Sequence, residues 1–185
     1  MATNYPTSLD TFTNPSAGDS LNSPSHSAQH ANINDAVEAV QAKLGVGAGT
    51  IGEWTSYTPT FSQITVGNST LDFRYTQINK LVIVNGFFTL GSTGSLHATI
   101  ASNMSLPKQA RNSFNCRMGF GQINDVGTAT YDLWPLSIGA NTSFTTLFVM
   151  NSSGSFVREA GVNASQPMTW TTGDQFTITL IYEAF

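Results

Sequence analysis

Residues 176–182, FTITLIY, show most clearly how the larger part of this chain folds. Alternate positions hold large apolar side chains and the positions between them mostly hold hydroxyl groups, the apolar set being Phe176, Ile178, Leu180 and Tyr182. A period of two places the two kinds of side chain on opposite faces of a β-strand. The stretch therefore predicts a strand that buries one face in a core.

Further strands are predicted throughout residues 54–185. The candidates are 74–78, 81–90, 116–123 and 144–150, and Gly-, Asn- and Ser-rich turns follow them at 91–94 and 151–154. The run 81–90 is apolar on both faces, which indicates a central strand or a strand at a subunit contact. About eight short strands of this kind predict a mainly β fold, an antiparallel β-sandwich or jelly roll.

One short helix is predicted before this body, within HANINDAVEAVQAKLG at residues 30–45. Its apolar side chains recur at intervals of four, three and four residues, at Ile33, Val37, Val40 and Leu44. This is the spacing of a coiled-coil seam, which packs against other copies of the same helix. Residues 31–45 are therefore predicted to form a trimerising helix, and an amphipathic helix that lies on its own domain is the alternative.

The ends of the helix also carry sequence signals. Asn32 or Asn34 is a candidate N-cap, and Gly45 is a candidate stop. The glycine-rich stretch that follows, residues 46–53, predicts a joint to a body at residues 54–185.

Residues 1–30 have the composition of an extended arm. Pro6, Pro15 and Pro24 prevent a long helix. The few apolar side chains are isolated from one another, and those predicted to anchor the arm to a partner are Tyr5, Leu9, Phe12 and Leu21. A disordered tail is the alternative for an isolated molecule.

Charge is sparse and balanced in the predicted body. Charged residues make up 10 % of the chain, compared with about 25 % in typical globular proteins, and residues 54–185 carry six basic and six acidic side chains. This excludes the basic surface that nucleic-acid binding requires. Cys116 is alone, so no intrachain disulfide is expected, and no stretch is long enough to cross a membrane.

No catalytic or metal-binding pattern stands out. His97 is the only histidine in residues 54–185, and no nucleophile motif accompanies it. Asp125 and Asp132 are interpreted as turn residues rather than as a catalytic carboxylate pair. His26 and His30 lack further ligands at metal-site spacing, although three copies of His30 would meet on a threefold axis. We therefore expect a non-enzymatic protein with no catalytic, cofactor-binding or metal-binding residues.

Several stretches resemble proteins of the tailed-bacteriophage virion. Residues 54–60 (WTSYTPT), 74–78 (RYTQI) and 80–84 (KLVIV) resemble the opening of a β-module of such proteins, and the pairs 106–107, 173–174 and 182–183 resemble its later landmarks. The module usually has Gly before the lysine, where this chain has Asn79. Because Asn tolerates left-handed geometry, the turn is expected to survive. Residues 5–12, 26–30 and 34–39 resemble phage attachment segments.

The resemblance implies a structural role in a bacteriophage virion. It implies a homotrimer made in the host cytoplasm, consistent with the absence of a signal-peptide pattern in residues 1–10. The arm would attach to the major capsid protein or to a tail component, and the β-body would face outwards. Two roles remain open, a capsid decoration or head-fibre protein and a tail-associated fibre protein that binds a host-surface glycan or protein.

Overall fold

The computed structural model describes residues 16, 18–20, 22, 25–44, 52–111, 115–137, 139–140, 142–153 and 156–185. The predicted arm anchors Tyr5, Leu9, Phe12 and Leu21 lie outside the described residues, as do Gly45 and most of the predicted joint. The chain divides into two compact units, Met1–Glu53 and Trp54–Phe185.

The first unit contains the helix α1, His26–Leu44, which is 19 residues long. Ser25 caps it, because the Ala28 N–H donates to Ser25 Oγ at 3.4 Å and the Gln29 N–H donates to the Ser25 carbonyl at 3.0 Å. The predicted start at residue 31 is therefore wrong. Asn32 and Asn34 lie inside the helix instead of capping it, because nothing in the sequence HSAQH interrupts a helix that has started at Ser25.

The second unit is built from β-strands. Within the described residues these are β1 (Thr55–Ser56), β2 (Phe61–Ser62), β3 (Ile64–Thr65), β4 (Thr70–Ile78), β5 (Leu81–Thr89), β6 (Ser95–Leu96), β7 (Asn103–Ser105), β8 (Cys116–Arg117), β9 (Gly119–Asp125), β10 (Ala129–Ser137), β11 (Phe144–Ser153), β12 (Phe156–Gly161) and β13 (Gln175–Glu183). All of the strand pairs are antiparallel, which confirms the predicted fold class of a mainly β, sandwich-like body.

Eleven strands form one large sheet with the order β1-β4-β5-β13-β9-β10-β11-β7-β2, in which β12 also pairs with β11 and β8 with β10. Strands β3 and β6 form a separate small pair. Although β1 and β2 lie at opposite ends of this order, only residues 57–60 separate them in the chain. The sheet must therefore curl until its two ends approach each other.

The core fills the inside of this curl. In β13 the predicted apolar face is buried, with Phe176, Ile178, Leu180 and Tyr182 all less than a tenth exposed. The Phe88 and Phe176 rings stack with their centroids 5.1 Å apart. The alternation of FTITLIY thus predicts correctly which face of this strand enters the core.

The run 81–90 becomes β5, which lies between β4 and β13 and is central as predicted. Its two faces nevertheless have different surroundings. Val82, Val84 and Phe88 are fully buried, whereas Leu81 and Phe87 on the other face are exposed. A central position in the sheet therefore accounts for only one of the two apolar faces.

Two predicted strand limits change because of local geometry. The candidate strand 116–123 is broken at Met118: five residues of this segment, from Arg117 to Gly121, oppose four of β10, from Leu133 to Leu136. The extra residue is a β-bulge that leaves Met118 buried.

The predicted turn at 151–154 begins later, because Asn151–Ser153 continue β11 and pair with β12 as far as Phe156. The turn between β4 and β5 does survive with Asn79, whose φ is 55°. Its backbone carbonyl accepts a hydrogen bond from Gln77 Nε2 at 2.7 Å.

Candidate functional site

The aspartates examined as a catalytic pair lie on opposite faces of the sheet. Asp125 pairs with Ala129 at the end of β9, and Asp132 pairs with Gln122 within β10. Because Gln122 and Asp125 are three residues apart on one strand, their side chains leave opposite faces. The two carboxylates therefore do not form a pair, and Asp132 lies in a strand rather than in the predicted turn.

The histidine of the body has a structural role. His97 Nδ1 accepts hydrogen bonds from the backbone N–H groups of Thr99, at 3.2 Å, and Ile100, at 3.1 Å. These bonds hold the turn that follows β6. In the part of the chain that the structure describes, no three His, Cys, Asp or Glu side chains cluster as a metal site would require.

The helix carries an exposed apolar stripe. Ile33, Val37 and Val40 are 53 %, 49 % and 41 % exposed, and with Ala36 and Gln41 they line a shallow apolar groove. Leu44 is the last residue of the helix, and the structure does not describe its side chain. Three of the four residues of the predicted seam therefore lie on one exposed face of the helix.

The early start of α1 lengthens this stripe. Continued towards the N-terminus, the alternation of three and four residues reaches His30 and then His26. The two imidazole rings lie edge to face with their centroids 4.4 Å apart. The predicted helix starts at residue 31, so sequence reasoning linked His30 to a threefold axis but did not extend the predicted seam to either histidine.

Asp174 is a buried carboxylate, only 1 % exposed. Its Oδ1 accepts a hydrogen bond from the Val126 N–H at 3.1 Å, and its Oδ2 accepts from the Thr171 N–H and from Thr171 Oγ1. The carboxylate therefore joins the β9–β10 turn to the turn before β13. These hydrogen bonds give Asp174, one of the residues of the sequence resemblance, a structural role that requires no ligand.

Tyr57 and Tyr182 each hold a hydroxyl group at the core. Tyr182 Oη donates to the Lys108 carbonyl at 2.9 Å and accepts from the Lys108 N–H at 3.4 Å. Among the described residues Tyr57 Oη has no hydrogen-bond partner. Burial raises the pKa of both phenols well above the usual range. Both hydroxyls are therefore neutral groups of the core rather than general bases.

Two tryptophans of the body pack against arginines. The Arg74 guanidinium lies 5.2 Å from the Trp54 ring centroid, and that of Arg117 lies 4.9 Å from the Trp134 ring centroid. Arg117 also forms an ion pair with Glu159 at 2.6 Å. Each guanidinium covers one face of its tryptophan ring.

One surface groove has a mixed aromatic and amide lining. It measures about 380 Å³ and lies beside the β11–β12 hairpin, between Tyr131, Asn151, Ser165, Gln166 and Pro167. Asn163 Nδ2 donates to Gln166 Oε1 at 3.4 Å and thereby holds this amide at the groove. No charged side chain is part of its lining.

No family model, curated protein or solved structure matches this chain. No helix in the described ranges is long and apolar enough to span a membrane.

Proposed function

We propose that this protein is a structural component of a bacteriophage virion, a trimeric capsid decoration or head-fibre protein. Its N-terminal arm attaches to the major capsid protein, and its β-body faces outwards. The observation that carries the proposal is the exposed apolar stripe of α1. The phage assignment itself rests on the sequence resemblance described above.

The identities of the seam residues support three strands. Intervals of four, three and four place Ile33 and Val40 at d positions and Val37 and Leu44 at a positions. β-branched residues at d favour trimers or tetramers over dimers. Burying each of the three half-exposed side chains, Ile33, Val37 and Val40, contributes roughly 1 kcal/mol per helix.

The arm supplies the link to the particle. Its proposed anchors, Tyr5, Leu9, Phe12 and Leu21, are separated by polar and turn-forming residues. Such a segment binds by laying isolated apolar side chains into a surface that is already folded. Deletion of residues 1–24, which leaves the helix cap Ser25 in place, should therefore abolish incorporation into particles and leave self-association intact.

Electron microscopy of particles carrying the labelled protein tests the assignment. Many copies spread over the capsid are the expected result. Absence of the label from purified particles contradicts the virion role, and a few copies on the tail contradict the decoration role.

Light scattering on the full chain tests the seam. The Val37→Asp/Val40→Asp variant should lose most of its trimer, because carboxylates at seam positions oppose helix packing. The matched control is Ala31→Asp/Ala42→Asp, which adds the same charge at exposed positions outside the seam. Equal trimer fractions in the two variants contradict the seam.

The Tyr131 groove favours the second candidate function, a tail-associated fibre protein that binds a host-surface glycan. An aromatic ring beside amides and hydroxyls suits a neutral saccharide, which needs an apolar platform and hydrogen-bonding groups. Binding to host glycans that is lost in Tyr131→Ala and kept in Phe144→Ala would support this role. Equal binding by both variants would contradict it.

A further inference from the structure

The outer face of the curled sheet carries an apolar patch across four neighbouring strands. Five of its side chains are exposed and one, Ile83, is partly exposed; the set, here called the outer-face patch, is Ile78, Leu81, Ile83, Phe87, Phe120 and Ile181. Phe120 is 57 % exposed and Ile181 is 50 % exposed. The opposite faces of the same strands form the core.

The strand register makes the patch continuous. Ile83 is directly opposite Ile181, and Ile78 is opposite Leu81. Phe120 is opposite Thr179, which is the partner of Asn85 on its other side. Directly opposed and diagonal side chains in a sheet are in contact range, so Ile78, Leu81, Ile83, Ile181 and Phe120 present one surface. Phe87 lies beyond the polar pair of Asn85 and Thr179, at the edge of this surface.

The patch contains no charged side chain. The charged residues of this face surround it: Asp72 is opposite Phe87, Glu183 is opposite Leu81, Arg74 is opposite Asn85, and Asp132 lies on β10. When one face of an antiparallel sheet is exposed to water, the residues on that face are normally polar and alternate along each strand with the apolar residues of the core face. An apolar centre with a charged margin is instead the anatomy of a protein interface.

The size of the patch fits a subunit contact. Five side chains that are about half exposed, at about 100 Å² each, and the less exposed Ile83 together present roughly 500 Å² of apolar surface. This equals the largest patch of a typical monomer, about 300–600 Å². It is also most of the roughly 800 Å² that each partner buries in a standard interface.

We infer that the outer-face patch is the surface through which the β-bodies of neighbouring copies of this chain pack together. The inference rests on the proposed trimer and identifies where its bodies meet. Strands β5, β13 and β9 are paired on both sides, so a partner contacts their side chains and does not add a strand to their edges. With six basic and six acidic residues in 54–185, copies of the body do not repel one another through net charge.

A pair of lysine substitutions in the full chain tests this surface. Phe120→Lys/Ile181→Lys should weaken self-association at least tenfold in analytical ultracentrifugation, because two desolvated ammonium groups oppose the contact. The matched control is Val126→Lys/Val157→Lys, which adds the same charge at two exposed apolar positions outside the patch. It should associate like the unchanged chain.

A second variant keeps the test independent of folding. Phe120→Ser/Ile181→Thr removes the apolar surface with side chains that strands accommodate, and its circular dichroism should match that of the parent protein. Weaker association of this folded variant supports the inference, and unchanged association overturns it.

The outcomes also distinguish this inference from the proposed function. A parent chain that is monomeric at all concentrations contradicts both the trimer and the patch. A parent trimer that survives both patch variants but dissociates in Val37→Asp/Val40→Asp leaves the trimer standing and overturns the patch alone.

Discussion

The rings of Phe61 and Phe73 lie 6.4 Å apart, edge to face, although β2 is the last strand at one end of the sheet and β4 is next to the last at the other. Phe61 also approaches Phe88, at 5.7 Å, and Phe176, at 6.3 Å. The Phe61 side chain therefore packs the β2 end of the sheet against strands near the β1 end.

Phe61→Ala should destabilise the body by about 2–3 kcal/mol, less than the roughly 3–5 kcal/mol of a fully buried phenylalanine because Phe61 is only partly buried. Chemical denaturation measures the free energy of unfolding. The control is Phe144→Ala, which removes an exposed ring of the outer face and should cost less than about 1 kcal/mol. Equal losses would mean that Phe61 does not close the sheet.

Asp174→Asn should lower the free energy of unfolding by about 2 kcal/mol, because an amide group cannot accept hydrogen bonds on both sides as the carboxylate does. Its NH₂ group would face either the Val126 or the Thr171 donor. Thermal unfolding of this variant is compared with that of Asp132→Asn, which changes an exposed carboxylate in the same way. A normal unfolding temperature for Asp174→Asn would contradict the role of the carboxylate as a turn link.

The buried phenols predict a loss of stability in alkali. Because the pKa values of Tyr57 and Tyr182 are raised in the folded state, only the unfolded chain ionises these groups near their ordinary pKa of about 10. Their contribution is fully present below about pH 10 and is lost as the pH rises above it towards the folded pKa. Denaturation measured between pH 8 and 11 should show this fall.

The control for the alkaline loss is Tyr57→Phe/Tyr182→Phe, in which neither position can ionise. The fall above about pH 10 should be smaller in this variant than in the parent protein. At neutral pH, Tyr182→Phe should cost about 1 kcal/mol through the lost Lys108 bonds, whereas Tyr57→Phe should cost less because its hydroxyl has no partner among the described residues. Identical pH profiles would contradict the assignment.

His30→Ile should strengthen self-association, because it replaces a polar residue with a β-branched apolar one at an a position of the extended seam. Ala31→Ile adds an apolar side chain of the same kind one residue away, at an exposed position outside the seam, and should leave association unchanged. Sedimentation equilibrium measures both. A gain in neither variant, or the same gain in both, would show that the seam does not extend to His30.

Local periodicity predicts the fold class and the buried face of β13, because the alternation in FTITLIY depends only on neighbouring residues. The sequence did not determine where α1 begins. Ser25, Asn32 and Asn34 are caps of similar strength, so no local signal separates them. The continuation of the predicted seam spacing to His30 and His26 was missed for the same reason.

The order of the strands was beyond local reasoning. Asn85 and Thr179 are 94 residues apart in the chain, yet Asn85 Nδ2 donates to Thr179 Oγ1 at 3.2 Å. The bulge at Met118 and the hydrogen bonds of Asp174 likewise depend on partners distant in sequence. Apolar residues on both faces of 81–90 did signal the outer-face patch, since a subunit contact was one of the two interpretations of that run.

The position of β13 in the sheet has a consequence for synthesis. This strand, formed by residues 175–183, lies between β5 and β9 and is the only described strand that pairs with both halves of the large sheet. Before residues 175–183 are synthesised, β5 and β9 lack this partner and each has an open edge. A chain truncated before residue 175 would keep these edges unpaired and would expose them to aggregation.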